Sequence, residues 1–317
     1  MAIATKVLKN RITSIKNTQK ITKAMELVAA AKMRKAVVAV LQSRRYSDMA
    51  WKMLSRLQNK TDPSLHPLLE QRIPIKKVLI LLITSNRGLC GAYNAQMIQK
   101  TMASIRIHQE VAATDLVIAG KKGRTLAYKF QQKIIAEFDK EDVMTQIHEI
   151  FPLSRLILDE YQKKHYDKVL IAYTDFLSSL KQKPRVRQIL PITEKDDYIG
   201  EIESRPLTEE LIHPEQYTEK EVRNPPPLLN TGYEYLFEPN PDAVLSELLP
   251  RLIEVQIYQA YLEANASEHS ARMMTMRNAT DAAEEMIFDL QLSFNQARQS
   301  NITREIAEIA AGKAVLE

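Results

Sequence analysis

Residues 1–62 contain neither glycine nor proline, and neither do residues 251–311. All 14 prolines lie between Pro63 and Pro250, and six of the seven glycines lie between Gly88 and Gly232. The seventh, Gly312, stands where a last helix would stop. With the helix breakers confined to the middle, each end reads as one uninterrupted helix of about 60 residues, about 90 Å long at the α-helical rise. Ordinary globular helices run only about three or four turns. A chain that gives so much of itself to two rods is built around their length.

The middle, about 190 residues, is long enough to bury a core of its own. No apolar run reaches 18 residues, so no membrane span is expected. The first residues interleave Lys and Arg with periodic apolar side chains, which is not the pattern of a signal peptide. Cys90 is the single cysteine, so an internal disulfide is excluded and a reducing compartment is expected.

The net charge of +5 conceals an asymmetry. Residues 1–60 carry 14 Lys/Arg against Glu26 and Asp48, a net of +12, whereas residues 251–317 carry six basic and ten acidic residues, a net of −4. A basic rod fits nucleic acid, an acidic protein partner, or the acidic helix at the other end of the same chain.

Along the C-terminal rod, Leu262, Ala266, His269, Met273, Met276, Thr280, Ala283, Ile287, Leu290, Phe294 and Ala297 follow at alternating spacings of 4 and 3. That 3.5-residue period is a left-handed coiled-coil seam. Ala, Thr and His fill several positions where a stable zipper wants Leu or Ile, so the seam buries little apolar area. In the N-terminal rod the matching apolar series is Leu8, Ile12, Ile15, Ile21, Met25, Val28, Met33, Val37 and Leu41. The economical geometry is an antiparallel pair within one chain; parallel pairing between two copies stays open.

The middle alternates strand and helix patterns. Strands are expected at 75–84, 114–120, 133–138, 168–176 and 184–192, and helices at 95–109, 124–131 and 143–165. That order predicts a mostly parallel, Rossmann-like α/β sheet. The resulting fold class is α/β: a long antiparallel coiled coil of N- and C-terminal helices plus the α/β middle domain. The expected divisions are 1–60 (N-terminal helix), 73–192 (globular domain), 193–240 (extended insertion) and 242–317 (C-terminal helix).

Candidate chemistry is thin. Gly88 and Gly91 follow the first strand, but the dinucleotide fingerprint needs a third glycine, so a tight turn is the better reading. Lys121-Lys122-Gly123-Arg124-Thr125 lacks the second glycine and the Gly-Lys of a phosphate loop. The six histidines form no H-x-x-x-H pair, and one cysteine completes no zinc site. No catalytic group, metal or cofactor is expected. After Gln299 the chain continues through Ile302, Ile306 and Ile309, an apolar tip that calls for a socket on a partner.

Several segments resemble the γ subunits of F-type rotary ATP synthases. Residues 16–35 (KNTQKITKAMELVAAAKMRK) look like that family's N-terminal helix, and residues 85–94 (SNRGLCGAYN) are similar to its glycine loop, with Asn86 where the family usually has Asp. Residues 235–241 (YLFEPNP), 272–281 (RMMTMRNATD) and 292–303 (LSFNQARQSNIT) resemble its C-terminal segments. The resemblance implies a non-catalytic bacterial rotor subunit, one copy per complex. Its implied partners are the α and β subunits of the hexamer, the ε subunit and the membrane c-ring. Nucleic acid is not among them, and the implied location is peripheral, on the cytoplasmic face of the inner (plasma) membrane. Matched by position, Arg298, Gln299 and Thr303 would grip one β subunit, and Lys20, Lys23 and Met25 would meet its acidic levers. Leu262, Met273, Met276, Ile287, Leu290 and Phe294 would form the seam. Lys313 replaces the family's alanine after Gly312, and the stretch 193–230 is longer than in compact bacterial members. The competing readings are a basic coiled-coil nucleic-acid binder, whose affinity would fall steeply with salt, and a nucleotide-binding enzyme at Gly88 and Gly91.

Overall fold

The computed structural model describes residues 2–58, 66–109, 112–142, 146–192 and 240–316. In chain order they form α1 (Ala2–Gln58), β1 (Lys77–Ile83), α2 (Tyr93–Gln109), β2 (Ala113–Ala119), α3 (Lys121–Lys129) and β3 (Ile134–Phe138). A 3₁₀ turn (Ile147–Ile150) follows, then α4 (Phe151–Gln162), β4 (Lys168–Phe176), β5 (Gln182–Leu190) and α5 (Pro241–Leu316). Of the expected insertion at 193–240, residues 193–239 lie outside the described residues. The chain divides into two compact units, one of Met1–Ala31 with Arg272–Glu317 and one of Lys32–Ala271.

The larger unit is built on a five-stranded sheet of order β3-β2-β1-β4-β5. Its first four strands run parallel and β5 runs antiparallel to β4. The parallel strands are covered on both faces, which is why β1 (KVLILLI) and β4 (KVLIAYTDF) read as nearly continuous apolar runs. Alternation survives inside the run. Leu79, Leu81 and Ile83 pack with α4 and α5, while Val78, Ile80 and Leu82 pack with Met97 and Ile105 of α2. The sequence pattern did not distinguish the direction of β5. Only residues 177–181 separate it from β4, too short for a crossover, so the pair is a hairpin. Ser178 closes that turn, its Oγ accepting the Lys181 N–H at 3.0 Å.

The C-terminal helix starts before the breaker-free stretch. Asn240 caps it, its Oδ1 accepting the Ala243 N–H at 2.8 Å, and Pro241 occupies the first helical position, where its missing N–H is no loss. Pro250 then lies inside the helix. Its lost hydrogen bond is tolerated because Leu249 and Leu252 on either side are buried in the core. The expected helix at 143–165 begins only at Phe151, with Pro152 in its first turn.

Within the larger unit α1 and α5 run antiparallel, since Arg44 meets Glu263 and Ser47 meets Gln256. Here α5 is buried on every side from Gln259 to Ser270, so Leu262, Ala266 and His269 are not a stripe. A stripe exists in the smaller unit. On α5, Met276, Thr280, Ala283 and Ile287 are buried, and Met273, Leu290, Phe294 and Ala297 are half-buried. On α1 it runs Leu8, Ile12, Ile15, Gln19, Thr22, Glu26 and Ala29. This corrects the apolar series, because Ile21 and Val28 are 61% and 57% exposed. A step from Ile15 to Ile21 is not a helical repeat, whereas the observed path keeps the alternation of 4 and 3 by accepting polar side chains.

Candidate functional site

In the smaller unit, Thr22 and Thr280 fix the register of the two helices, their hydroxyls 2.8 Å apart. Twenty residues separate Thr22 from the start of α1 at Ala2, and the same count along α5 reaches Ser300. The described residues of α1 reach no further along α5. Ile302, Ile306 and Ile309 are accordingly 48%, 62% and 74% exposed. Apolar side chains at that exposure, in a row, mark a surface built to be covered.

Of the candidate contact residues, Lys20 and Lys23 are exposed and Met25 is half-buried beside the seam. Lys23 Nζ lies 2.9 Å from Glu26 Oε2, which steadies one long side chain on the helix surface. Arg298, Gln299 and Thr303 are exposed, and Thr303 Oγ1 donates back to Gln299 O at 3.0 Å. The two groups are not brought together. Thr22 sits level with Thr280, and the 18 residues from there to Arg298 span about 27 Å of helix.

The loop after β1 is closed by its own side chains. Ser85 Oγ donates to Arg87 O at 2.6 Å, and Asn94 accepts the Ser85 N–H at 3.1 Å while donating to Ser85 Oγ at 2.8 Å. Leu89 and Gly91 both take positive φ, 63° and 56°, so the second glycine serves a tight turn. The start of α3 is equally occupied. The N–H of Lys121 goes to Asn86 Oδ1, that of Lys122 to Ser85 O and that of Gly123 to Thr84 Oγ1. A phosphate bound there would need those amides. Gly120 and Gly123 allow close approach instead. A Cβ on Gly120 would fall 2.4 Å from Thr84 O, and one on Gly123 would fall 2.8 Å from Ile118 Cγ2. Asn86 also donates through Nδ2 to Lys140 O at 2.6 Å, a bond that a carboxylate could not make.

Where α5 crosses the larger unit, sequence reading missed a set of buried polar contacts. Glu263 Oε1 accepts from Arg44 (Nη2 3.1 Å, Nε 3.3 Å) and from Gln259 Nε2 at 2.8 Å. Arg44 Nη2 also reaches Phe176 O at 3.1 Å. Glu263 Oε2 has no donor turned to it. Burial pushes the Glu263 carboxyl up to about 8; Arg44 pulls it down, and the neighbouring Asp175 carboxyl pushes it further up. The two facts agree, because a proton on Oε2 lets Glu263 bond Asp175 while Oε1 stays free to accept from Arg44. Asp175 is itself paired with Arg185, at 2.7 Å. Burial raises the Tyr173 phenol well above its ordinary value, and Glu263 and Asp175 add to the effect.

Further along, Lys140 and Glu268 form a buried pair at 2.6 Å. His269 Nε2 meets Asp142 O at 2.6 Å, and Asp142 Oδ2 accepts from Lys32 of α1 at 2.6 Å. That bond holds the Asp142 carboxyl below its usual range, against the effect of burial. The sequence signal was the run EANASEHS (263–270), a stretch of the long helix without a large apolar side chain.

A cavity of about 360 Å³ lies beside Phe138, Asp139, Glu141, Glu149, Ile150, Leu153 and Tyr261. Three carboxylates and no cation line it, which disfavours an anionic ligand. Among the described residues, no group of three or more His, Cys, Asp or Glu is placed to hold a metal ion. Among them, too, no helix is long and apolar enough to cross a membrane.

Residues 4–316 match the family model described as ATP synthase. The chain is 41% identical over 311 residues to the ATP synthase gamma chain of Heliobacterium modesticaldum, covering 98% of each. It is 39% identical over 317 residues to that of Dehalococcoides mccartyi, again covering 98% of each. Among solved structures, a chain of the Euglena gracilis mitochondrial ATP synthase rotor superposes with a TM-score of 0.59 at 18% identity, covering 95% of this chain and 100% of that one. A chain of the Tetrahymena thermophila mitochondrial ATP synthase central stalk and c-ring gives 0.53 at 19% identity, covering 82% and 99%. At those identities the structures speak for the fold.

Proposed function

The chain belongs to the ATP synthase gamma-chain family and is a non-catalytic central rotor subunit, and from that premise we propose how its surfaces divide the work. The smaller unit is the shaft, an antiparallel left-handed coiled coil that turns inside a hexamer of α and β subunits. Arg298, Gln299 and Thr303 hold a β subunit near the tip, where the fork of Arg298 suits a carboxylate. Lys20, Lys23 and Met25 meet the moving β levers about 27 Å lower. The larger unit is a Rossmann-like foot without a nucleotide, which docks the ε subunit and the c-ring. One copy serves each complex, held peripherally on the cytoplasmic face of the membrane.

Rotation acts on β by differential affinity. A shaft angle that binds closed β better than open β moves that equilibrium, and a nearly complete switch takes about 5.5 kcal/mol of difference. The observation that carries this reading is the last part of α5, where three isoleucines in a row are exposed. They call for an apolar sleeve supplied by another protein. The test is to purify the tagged chain from its host membranes in mild detergent. Alpha and beta subunits are expected in near-stoichiometric amounts, and their absence would overturn the reading.

A further inference from the structure

We propose that residues 263–270 of α5 form a polar collar that locks the helix rotationally within the α/β unit. Torque then passes between that unit and the shaft through directional bonds and the buried Lys140–Glu268 pair. The inference rests on the rotor reading and assigns the part of the chain where twist is handed over.

The argument begins with angles. Successive residues of an α-helix are about 100° apart. Glu263, Ala264, Ser267, Glu268, His269 and Ser270 therefore point in directions that leave no gap wider than about 100° around the helix. Together they are bonded to five different parts of the unit. Glu263 holds Arg44 of α1. The carbonyl of Ala264 accepts from Tyr93 OH of α2 at 3.2 Å. Ser267 Oγ donates to Thr174 O of β4 at 3.1 Å. Glu268 and His269 hold Lys140 and Asp142 in the segment after β3. Ser270 Oγ donates to Ser179 O in the β4–β5 turn at 2.5 Å.

Apolar contact cannot do this alone. Burial of hydrocarbon is non-directional, and the side chains of Ala264 and Ala266 give little relief to catch on. A hydrogen bond depends steeply on its angle. Turning the collar by one residue would unmake every bond in it at once, and all six residues are buried, out of reach of compensating water. The partners are braced in turn. Lys140 O accepts from Asn86, and Lys140 Nζ lies 5.8 Å from the centre of the Tyr93 ring, whose hydroxyl is itself a collar contact. The collar ends at Ser270, two residues before Arg272, from which α5 belongs to the smaller unit.

The test uses the whole enzyme reconstituted in vesicles, comparing wild type with Lys140→Met/Glu268→Gln and with Ser267→Ala/Ser270→Ala. ATP hydrolysis and ATP-driven proton transport are measured together while an opposing gradient is raised. Both variants are expected to hydrolyse ATP as wild type does, but to lose several-fold more transport per ATP as the load increases. Lys140→Arg/Glu268→Asp, which keeps the pair, is expected to restore the ratio. A wild-type ratio under load in both variants overturns the collar. The serine variant removes only two hydroxyls and keeps the test available if the charged pair is needed for assembly. Failure of the wild-type chain to restore coupled transport to an enzyme lacking this subunit would instead sink the rotor reading itself.

Discussion

Glu263 makes the polar crossing of α5 sensitive to pH, and Glu263→Gln isolates that effect. In the folded chain burial holds the carboxyl up to about 8, against an ordinary value of 4.5. The folded state thus keeps a proton that the unfolded state releases. Its stabilising contribution is complete below about pH 4.5 and declines as pH rises, until it is lost above about 8. Between pH 6 and 8 the decline comes to about 2 kcal/mol, at roughly 1.4 kcal/mol per unit of pH and less near the upper end. Gln copies the protonated form, since its oxygen accepts from Arg44 and its amide donates to Asp175. The assay is amide hydrogen exchange of residues 259–270 in the assembled complex, which reads the free energy of local opening. Wild type is expected to lose about 2 kcal/mol of protection free energy from pH 6 to 8 after correction for intrinsic rates, and Glu263→Gln to stay level. Equal slopes in the two proteins would refute the shared proton.

Arg298→Ala is expected to leave assembly intact and lower rotational torque or transport coupling; unchanged coupling would remove that residue from the β contact. Gly120→Ala places a Cβ 2.4 Å from Thr84 O on a backbone with φ of 100°, so a loss of about 2–4 kcal/mol is expected in denaturant unfolding. Thr280→Val removes the bond to Thr22, but Thr22 keeps its own bond to Gln19 O at 3.0 Å, so thermal stability should change by less than about 1 kcal/mol. Duplex DNA binding by the purified complex is expected to be weak at physiological salt, and a tight, steeply salt-dependent affinity would revive the nucleic-acid reading.

Much of this architecture was legible in the chain. The absence of breakers marked both long helices, because proline and glycine are the residues that local sterics and entropy exclude from helix interiors. The alternating middle gave a mostly parallel sheet for the same local reason. The seam on α1 was read one step wrong at Ile21 and Val28, because a search for apolar residues cannot see that Gln19, Thr22 and Glu26 hold the repeat. The collar went unread because a polar run inside a helix normally faces water, and only a surrounding domain makes it a set of buried bonds.

The sequence by itself determined what depends on neighbours along the chain: the two helical ends, the strand periodicity of the middle, and the family signature. Tertiary structure alone decided that burial raises the Glu263 carboxyl, that Lys140 meets Glu268 across 128 residues, and that Ile302, Ile306 and Ile309 stay exposed. Those outcomes turn on which groups lose water and which partners face them. No local pattern records that, because dielectric environment and bond direction exist only once the elements are packed.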